Sequence, residues 1–345
     1  MRKAGGSYEH LASFALDHPW AVTPTMLSLI ASIIASRIAG DPPDAAGLQL
    51  AQELRAAREV PVASGGVVRV IPIHGVIAPR MNLLSEVSGG TTFEGLTSQL
   101  QLAVADPNVK AIVFDVDSPG GNVAGATEFA REVMRARTTK SVFAQAQHTM
   151  ASAAYHVMAG ATEIIGSPSA TVGGIGVFSI YDDLTDALAQ LGIKREVLKA
   201  GKFKAEGVAG TGLSDDARTH FQHLVEGAYG RMVGDIAKGR GVTAAQVRNG
   251  YGEGRALDAD DAKAAGLIDR IATLQDTLER AGKARPPQPA ARAADDSTPP
   301  AATDQEPSAR AATSQEPRAV PDPTIGFVEY EQRLIALASK GLAPS

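Results

Sequence analysis

The sequence predicts an α/β domain built on a mostly parallel sheet, and three observations predict it. From about residue 67 onward, short apolar runs of strand texture alternate with stretches of helical period. Turn and cap residues punctuate that alternation, as in the glycine turn "DSPGG" (117–121) that closes an apolar run. Apolar residues make up 44% of the 345, enough to bury one sizeable core. Strands that alternate with helices favour parallel pairing through right-handed crossovers.

Each element follows in order. Residues 1–64 read as helices and turns, an N-terminal helical extension. Within it Thr23 caps a helix, Pro24 takes its first position and Gly40 ends it, with Leu27, Ile30, Ile34 and Ile38 on one face. Leu50 and Leu54 mark a second helix after "DPPD". The domain proper spans 65–282. "VVRVIPIHGVI" opens it as a strand. "TTFEGLTSQLQLAVAD" is a helix with a capping box, Thr91 with Glu94, that buries Phe93, Leu96 and Leu100. "KAIVFDVDSPGG" is a strand ending in the glycine turn, and "VAGATEFAREVMRAR" is a helix. "SVFAQAQ" is a strand that leads to a helix opening near Ser152. "TEIIGS", "IGVFSI" and "KREVLKA" read as further strands. A long helix starts at Ser214, with Phe221, Leu224, Val225, Met232 and Ile236 mostly inward. Residues 283–323 are Pro/Ala-rich, with the near-copies "DQEPSARA" and "SQEPRAV", and predict a disordered linker. Residues 324–345 regain helical period through Phe327, Tyr330, Leu334 and Leu337 and predict a short C-terminal helix.

Composition excludes several function classes. The formal net charge is −5 with both signs interspersed, so no basic stripe points to nucleic acid or anionic lipid. With no cysteine there is no disulfide, thiol nucleophile or thiolate-bound zinc. The seven histidines form no metal-ligand pattern, and nothing calls for a metal or other cofactor. The most apolar stretch, "MLSLIASIIASRIAG", is shorter than a membrane span and contains Arg37. "MRKAGGSYEH" lacks the apolar region of a signal peptide.

Ser152, in "QHTMASAAYHVMAG", sits where a strand ends and a helix begins. A serine there is a good cap. It is equally a candidate nucleophile, because small neighbours admit a substrate backbone and the helix N-terminus favours a developing oxyanion. The N–H groups of the "DSPGG" turn offer a second element for that oxyanion. A nucleophilic serine also needs a base. His148, His74 and His156 compete with the lysines of "LKAGKFKAEG", namely Lys199, Lys202 and Lys204, and chemistry alone does not choose among the three lysines.

The motifs "AIVFDVDSPGGNVAGATEFA", "TMASAAYHVMAGATEIIGSPSATVGGIGV", "LKAGKFKAEG" and "GRALDADDAKAAGLIDRI" occur in that order between roughly residues 67 and 280. Together they resemble the serine peptidases that include signal peptide peptidase A and the prohead proteases of tailed phages. The resemblance implies a Clp-protease/crotonase-like fold of stacked β-β-α units. It also implies a Ser–Lys dyad, with Ser152 as nucleophile and Lys204 as base, and an oxyanion hole from the N–H groups of Gly121, with Gly120 nearby, and Ala153. Three departures stand out. "AAY" follows Ser152 where relatives usually carry two glycines, Gly174 replaces a frequent serine, and Ala205 stands where an acidic residue usually follows the lysine.

"HPWAVTPTMLSLIASIIASRIAG" resembles what precedes the protease domain in phage head proteins. The expectation is a head maturation protease acting on scaffold or capsid-assembly proteins, in host cytoplasm or inside the prohead. It is expected to form a homo-oligomeric ring, with no cofactor, nucleic acid or membrane span. Competing readings are a cellular signal-peptide-peptidase-like enzyme that degrades small peptides, an acyl-CoA enzyme of the same fold, and an assembly protein with a dead protease fold.

Overall fold

The computed structural model describes residues 20–22, 67–79, 90–208 and 210–284. The helices expected in the N-terminal extension, the linker beyond residue 284 and the C-terminal helix lie outside the described residues.

Within 1–64, expected to be helices and turns, residues Trp20–Val22 form a strand, β1. The parallel sheet begins with β2 (Val68–His74), followed by the short β3 (Ile77–Ala78). Strand β4 (Thr91–Thr92) runs directly into helix α1 (Phe93–Ala105). The cap of α1 is Thr92, whose side chain accepts from the Gly95 N–H, and not Thr91 of the expected capping box. Thr91 instead clasps the end of β2, its Oγ1 donating to the His74 carbonyl at 2.8 Å and accepting the His74 N–H at 3.0 Å.

The same unit then repeats. Strand β5 (Ala111–Ser118) is followed by the short β6 (Gly120–Asn122) and helix α2 (Ala126–Ala136). Long strands β2 and β5 pair in parallel in one sheet, while short strands β3 and β6 pair in parallel in another. This is a stack of β-β-α units. The third long strand, β7 (Ser141–Ala151), pairs in parallel with β5 and ends in helix α3 (Ala153–Met158).

Beyond it β7 forks. Residues 143–146 pair with β8 (Glu163–Gly166), whereas 149–151 pair with β9 (Thr171–Gly173), both in parallel. The chain continues through α4 (Thr185–Gln190), the long α5 (Asp215–Arg240) and α6 (Ala244–Gly250). It closes with β10 (Ala256–Asp258), α7 (Ala259–Ala264), β11 (Arg270–Ile271) and α8 (Leu274–Gly282). Strand β10 pairs antiparallel with β9, and β11 pairs in parallel with β8.

The large sheet is buried on both faces, as a parallel sheet requires. Ile112, Phe114 and Val116 of β5 enter the main core, where Phe114 meets the Phe129 ring edge-on at 6.1 Å. Ala111 and Val113 face the other way, into a smaller cluster that includes Ala281 of α8. Removing a ring as enclosed as Phe114 costs about 3–5 kcal/mol.

Two expected strands are absent. Residues 175–180 hold only an isolated bridge, and 194–200 have no strand pairing. The side chains of 194–200 are largely exposed, with Leu198 at 92%, whereas Ile175 is buried in the core without joining a strand. An apolar run becomes a strand only where a sheet edge receives it, and the described chain offers these runs none.

Candidate active site

The forked strand places Ser152. Ala151 lies opposite Gly173 in the β7–β9 ladder, and the Ser152 N–H donates to the Gly173 carbonyl at 2.7 Å. One residue later the helix has begun, and the His156 N–H donates to the Ser152 carbonyl at 2.9 Å. Between these two constraints Ser152 is held at φ 57° and ψ −119°. That region suits glycine and costs a side-chain-bearing residue about 1–3 kcal/mol. Ser152 makes no side-chain cap bond to its helix, so the capping reading fails. It is 3% exposed, and its Oγ has one described contact, a long one of 3.4 Å to the Gly176 carbonyl.

The rest of α3 is anchored away from the serine. Tyr155 is fully buried and its hydroxyl donates to the Leu267 carbonyl at 2.9 Å; burial pushes its phenol well above the ordinary range. The His156 ring meets Asp235 of α5 at 3.0 Å. Burial alone would raise the Asp235 carboxyl, but the hydrogen bonds to His156 and Thr127 and the charges of His156 and Arg131 together outweigh it, and the group lies below its usual range. The "AAY" that follows Ser152 is therefore packing: two fully buried alanines and a tyrosine that ties the helix to the 267 segment.

The glycine turn lies at the start of β6, against which α3 packs. Ser118 Oγ donates to the Gly75 carbonyl at 2.6 Å and accepts the Gly120 N–H at 3.2 Å. Of the two expected glycine donors, Gly120 is thus already engaged inside the turn. Gly121 must be glycine for a different reason: a Cβ there would lie 1.9 Å from the Ile77 carbonyl oxygen of β3. Ala153 is the first residue of α3, and an N–H at that position has no intrahelical acceptor.

The candidate bases divide. His74 pairs with Asp115 at 3.3 Å and His148 with Asp117 at 3.4 Å. With His156 on Asp235, each of the three competing histidines is held by a carboxylate. Lys204 lies in a run of turns, 201–207, with its side chain exposed, and none of its described bonds reaches Ser152. Lys202 pairs with Asp216 at 3.8 Å and sits over the Phe203 ring. Sequence reasoning missed the Ser118 clasp, although a serine opening a Pro-Gly-Gly turn was a legible signal for it.

Among the described residues no group of three or more His, Asp or Glu is placed to hold a metal, and no helix is long and apolar enough to cross a membrane.

Fold and site together define the class: an α/β protein of stacked β-β-α units on a parallel sheet, carrying a strained serine between a parallel strand and a helix beside a glycine turn. The model of peptidase family S49 matches residues 134–286 of this chain. It is similar to capsid assembly protease C of Escherichia phage lambda, 27% identical over 285 residues, or 78% of this chain and 64% of that protein. It is also similar to Protease 4 of Salmonella typhi, 30% identical over 226 residues, or 65% of this chain and 36% of that one. The chain therefore spans less than two thirds of these relatives' lengths. A ClpP1 mutant from Listeria monocytogenes superposes with a TM-score of 0.38 at 16% identity, over 66% of this chain and 99% of its own.

Proposed function

We propose that this chain is a serine endopeptidase in which Ser152 is the nucleophile and Lys204 the general base, working on scaffold or capsid-assembly proteins during phage or prophage head maturation. The observation that carries the reading is the strained, buried Ser152 without a cap bond. Backbone strain of this kind persists where the surroundings over-determine it, and it clusters at reactive residues. The similarity to the lambda protein extends over 285 residues and supports the head-maturation branch. The similarity to Protease 4 of Salmonella typhi supports the second reading, a cellular protease.

The chemistry needs a neutral amine. Lys204 Nζ takes the Ser152 proton as Oγ adds to the scissile carbonyl, and the oxyanion receives the Gly121 and Ala153 N–H groups. The C–N bond breaks, and the leaving amine takes the proton from Nζ. Water, deprotonated by the same amine, then adds to the acyl-enzyme, and Oγ leaves with the proton. Lys204 is exposed in the single chain, so a surface that desolvates it must be supplied before it can act as a base.

Assembly supplies that step. The segment that carries Lys204 also exposes Ile180 (55%), Leu184, Leu191, Leu198 and Phe203. Large apolar side chains exposed along one segment point to a surface that meets a partner. A homo-oligomer that buries this arm against a neighbour would bring a lysine to each serine. We read residues 65–282 as the peptidase unit.

The test is co-expression with a scaffold or capsid protein from the same genome. Wild type is expected to cleave that protein, whereas Ser152→Ala and Lys204→Ala leave it intact. Equal cleavage by all three would reject the dyad.

A further inference from the structure

We propose that the N-terminal strand β1 is an autoinhibitory strand that occupies the edge where an extended substrate must lie. This deepens the endopeptidase reading and rests on it.

The inference starts from β6. Its three residues, Gly120–Asn122, include Gly121, whose N–H the endopeptidase reading assigns to the oxyanion. A peptide whose scissile carbonyl points at that group must run alongside β6. An extended chain binds such a strand by adding to its free edge through main-chain bonds. A strand has two edges, and β3 holds one of them, pairing in parallel with Ile77 opposite Gly121. The other edge is taken by β1, antiparallel, with Trp20 opposite Asn122, Ala21 opposite Gly121 and Val22 opposite Gly120. The small sheet therefore runs β1-β6-β3-β4, and β6 has no free edge. Substrate and β1 compete for one row of backbone groups.

The pairing is suited to reversal. It is only three residues long, and a two-stranded addition of that length is marginal by itself. What holds it is the tether: β1 and β2 belong to the same chain, so β1 returns at high effective concentration whenever it leaves. A substrate presented many times over inside an assembly outcompetes it, whereas a stray peptide at low concentration does not.

The test uses the full chain with Ser152→Ala, so that peptide binds without turnover, and the same chain with Ala21→Pro and Val22→Pro. Proline has no N–H, and two consecutive prolines remove the donor from either phase of an antiparallel ladder. The probe is a fluorescein-labelled peptide of this chain's own residues 14–28, read by fluorescence anisotropy. The proline variant is expected to bind it about tenfold more tightly than its parent, because the tethered competitor is gone. Equal affinity for both proteins, or binding to neither, would overturn the proposal. A second variant, with residues 19–24 replaced by glycine and serine, must agree with the proline variant, and melting followed by circular dichroism identifies any loss of fold.

The same prolines in the Ser152-intact chain separate the two readings, with labelled casein as substrate. Faster cleavage by the proline variant supports autoinhibition. Equal cleavage rates reject autoinhibition and leave the peptidase intact. No cleavage by either protein, with the affinity difference present, rejects the peptidase and leaves the strand competition standing.

Discussion

At the scale of single residues the site trades stability for geometry, and Ser152 shows the trade most directly. Its φ of 57° with ψ of −119° is glycine territory. Ser152→Gly should therefore raise stability by about 1–2 kcal/mol while abolishing cleavage. Ser152→Ala should abolish cleavage with no such gain, since alanine keeps the strained Cβ. Thermal melts of the three proteins check this, and a lower melting point for Ser152→Gly would refute the strain argument. Gly121 has the opposite sensitivity. Gly121→Ala places a methyl 1.9 Å from the Ile77 carbonyl oxygen, so β3 and β6 must separate. The expected result is lost cleavage together with a stability loss of about 3 kcal/mol, measured by denaturant titration.

At the scale of elements, much of the fold is legible in the sequence because its long strands and helices carry their own signals. Strand β5 reads as a continuous apolar run and is buried on both faces, and α5 starts at Ser214, whose side chain accepts the Ala217 N–H as a cap should. What was not legible depends on partners distant in sequence. Strand β9 is three residues long and exists because the fork in β7 receives it. Strand β1 exists because β6 has an edge, and the runs at 175–180 and 194–200 have no edge to join. Within the site, the strand-to-helix position of Ser152 was legible, and so was the serine that opens the Pro-Gly-Gly turn, whereas its bonds to Gly75 and Gly120 depend on β2 and β6 coming together. The C-terminal elements are tied in by Asp269, which accepts the Ile164 N–H at 2.7 Å and pairs with Arg240 at 2.6 Å. Burial would raise this carboxyl, but the Arg240 bonds and the Ile164 N–H hold it below its usual range. A depressed carboxyl stabilises the fold above its unfolded pKa, about 3.9, and that contribution disappears as pH falls through the lower folded value. Asp269→Asn should thus melt well below wild type at neutral pH, and the gap should shrink in melts taken below about pH 4. A gap that is constant across that range would mean that the carboxylate charge is not what matters.

At the scale of the whole molecule, a single chain holds the serine ready and leaves the lysine outside. Ser152 is 3% exposed, whereas Lys204 lies on a solvent-facing arm beside Leu198 and Phe203, which are 92% and 53% exposed. If Lys204 is the base, a neighbour has to desolvate it before it can act, so activity is expected to switch on with assembly. Leu198→Ser with Phe203→Ser removes apolar surface from the arm without touching the core. The expected outcome is a smaller species by light scattering and a parallel loss of cleavage. If the arm delivers Lys204 to a neighbour, each site takes its serine from one subunit and its lysine from the next. Ser152→Ala and Lys204→Ala are each inactive alone, but co-expressed in equal amounts they should form mixed rings. Random mixing then leaves about one site in four with both groups intact, so about a quarter of wild-type activity should return. If the dyad lies within one subunit, no mixed ring contains a complete site and the mixture stays inactive. The measurement therefore decides whether the arm reaches inward or across.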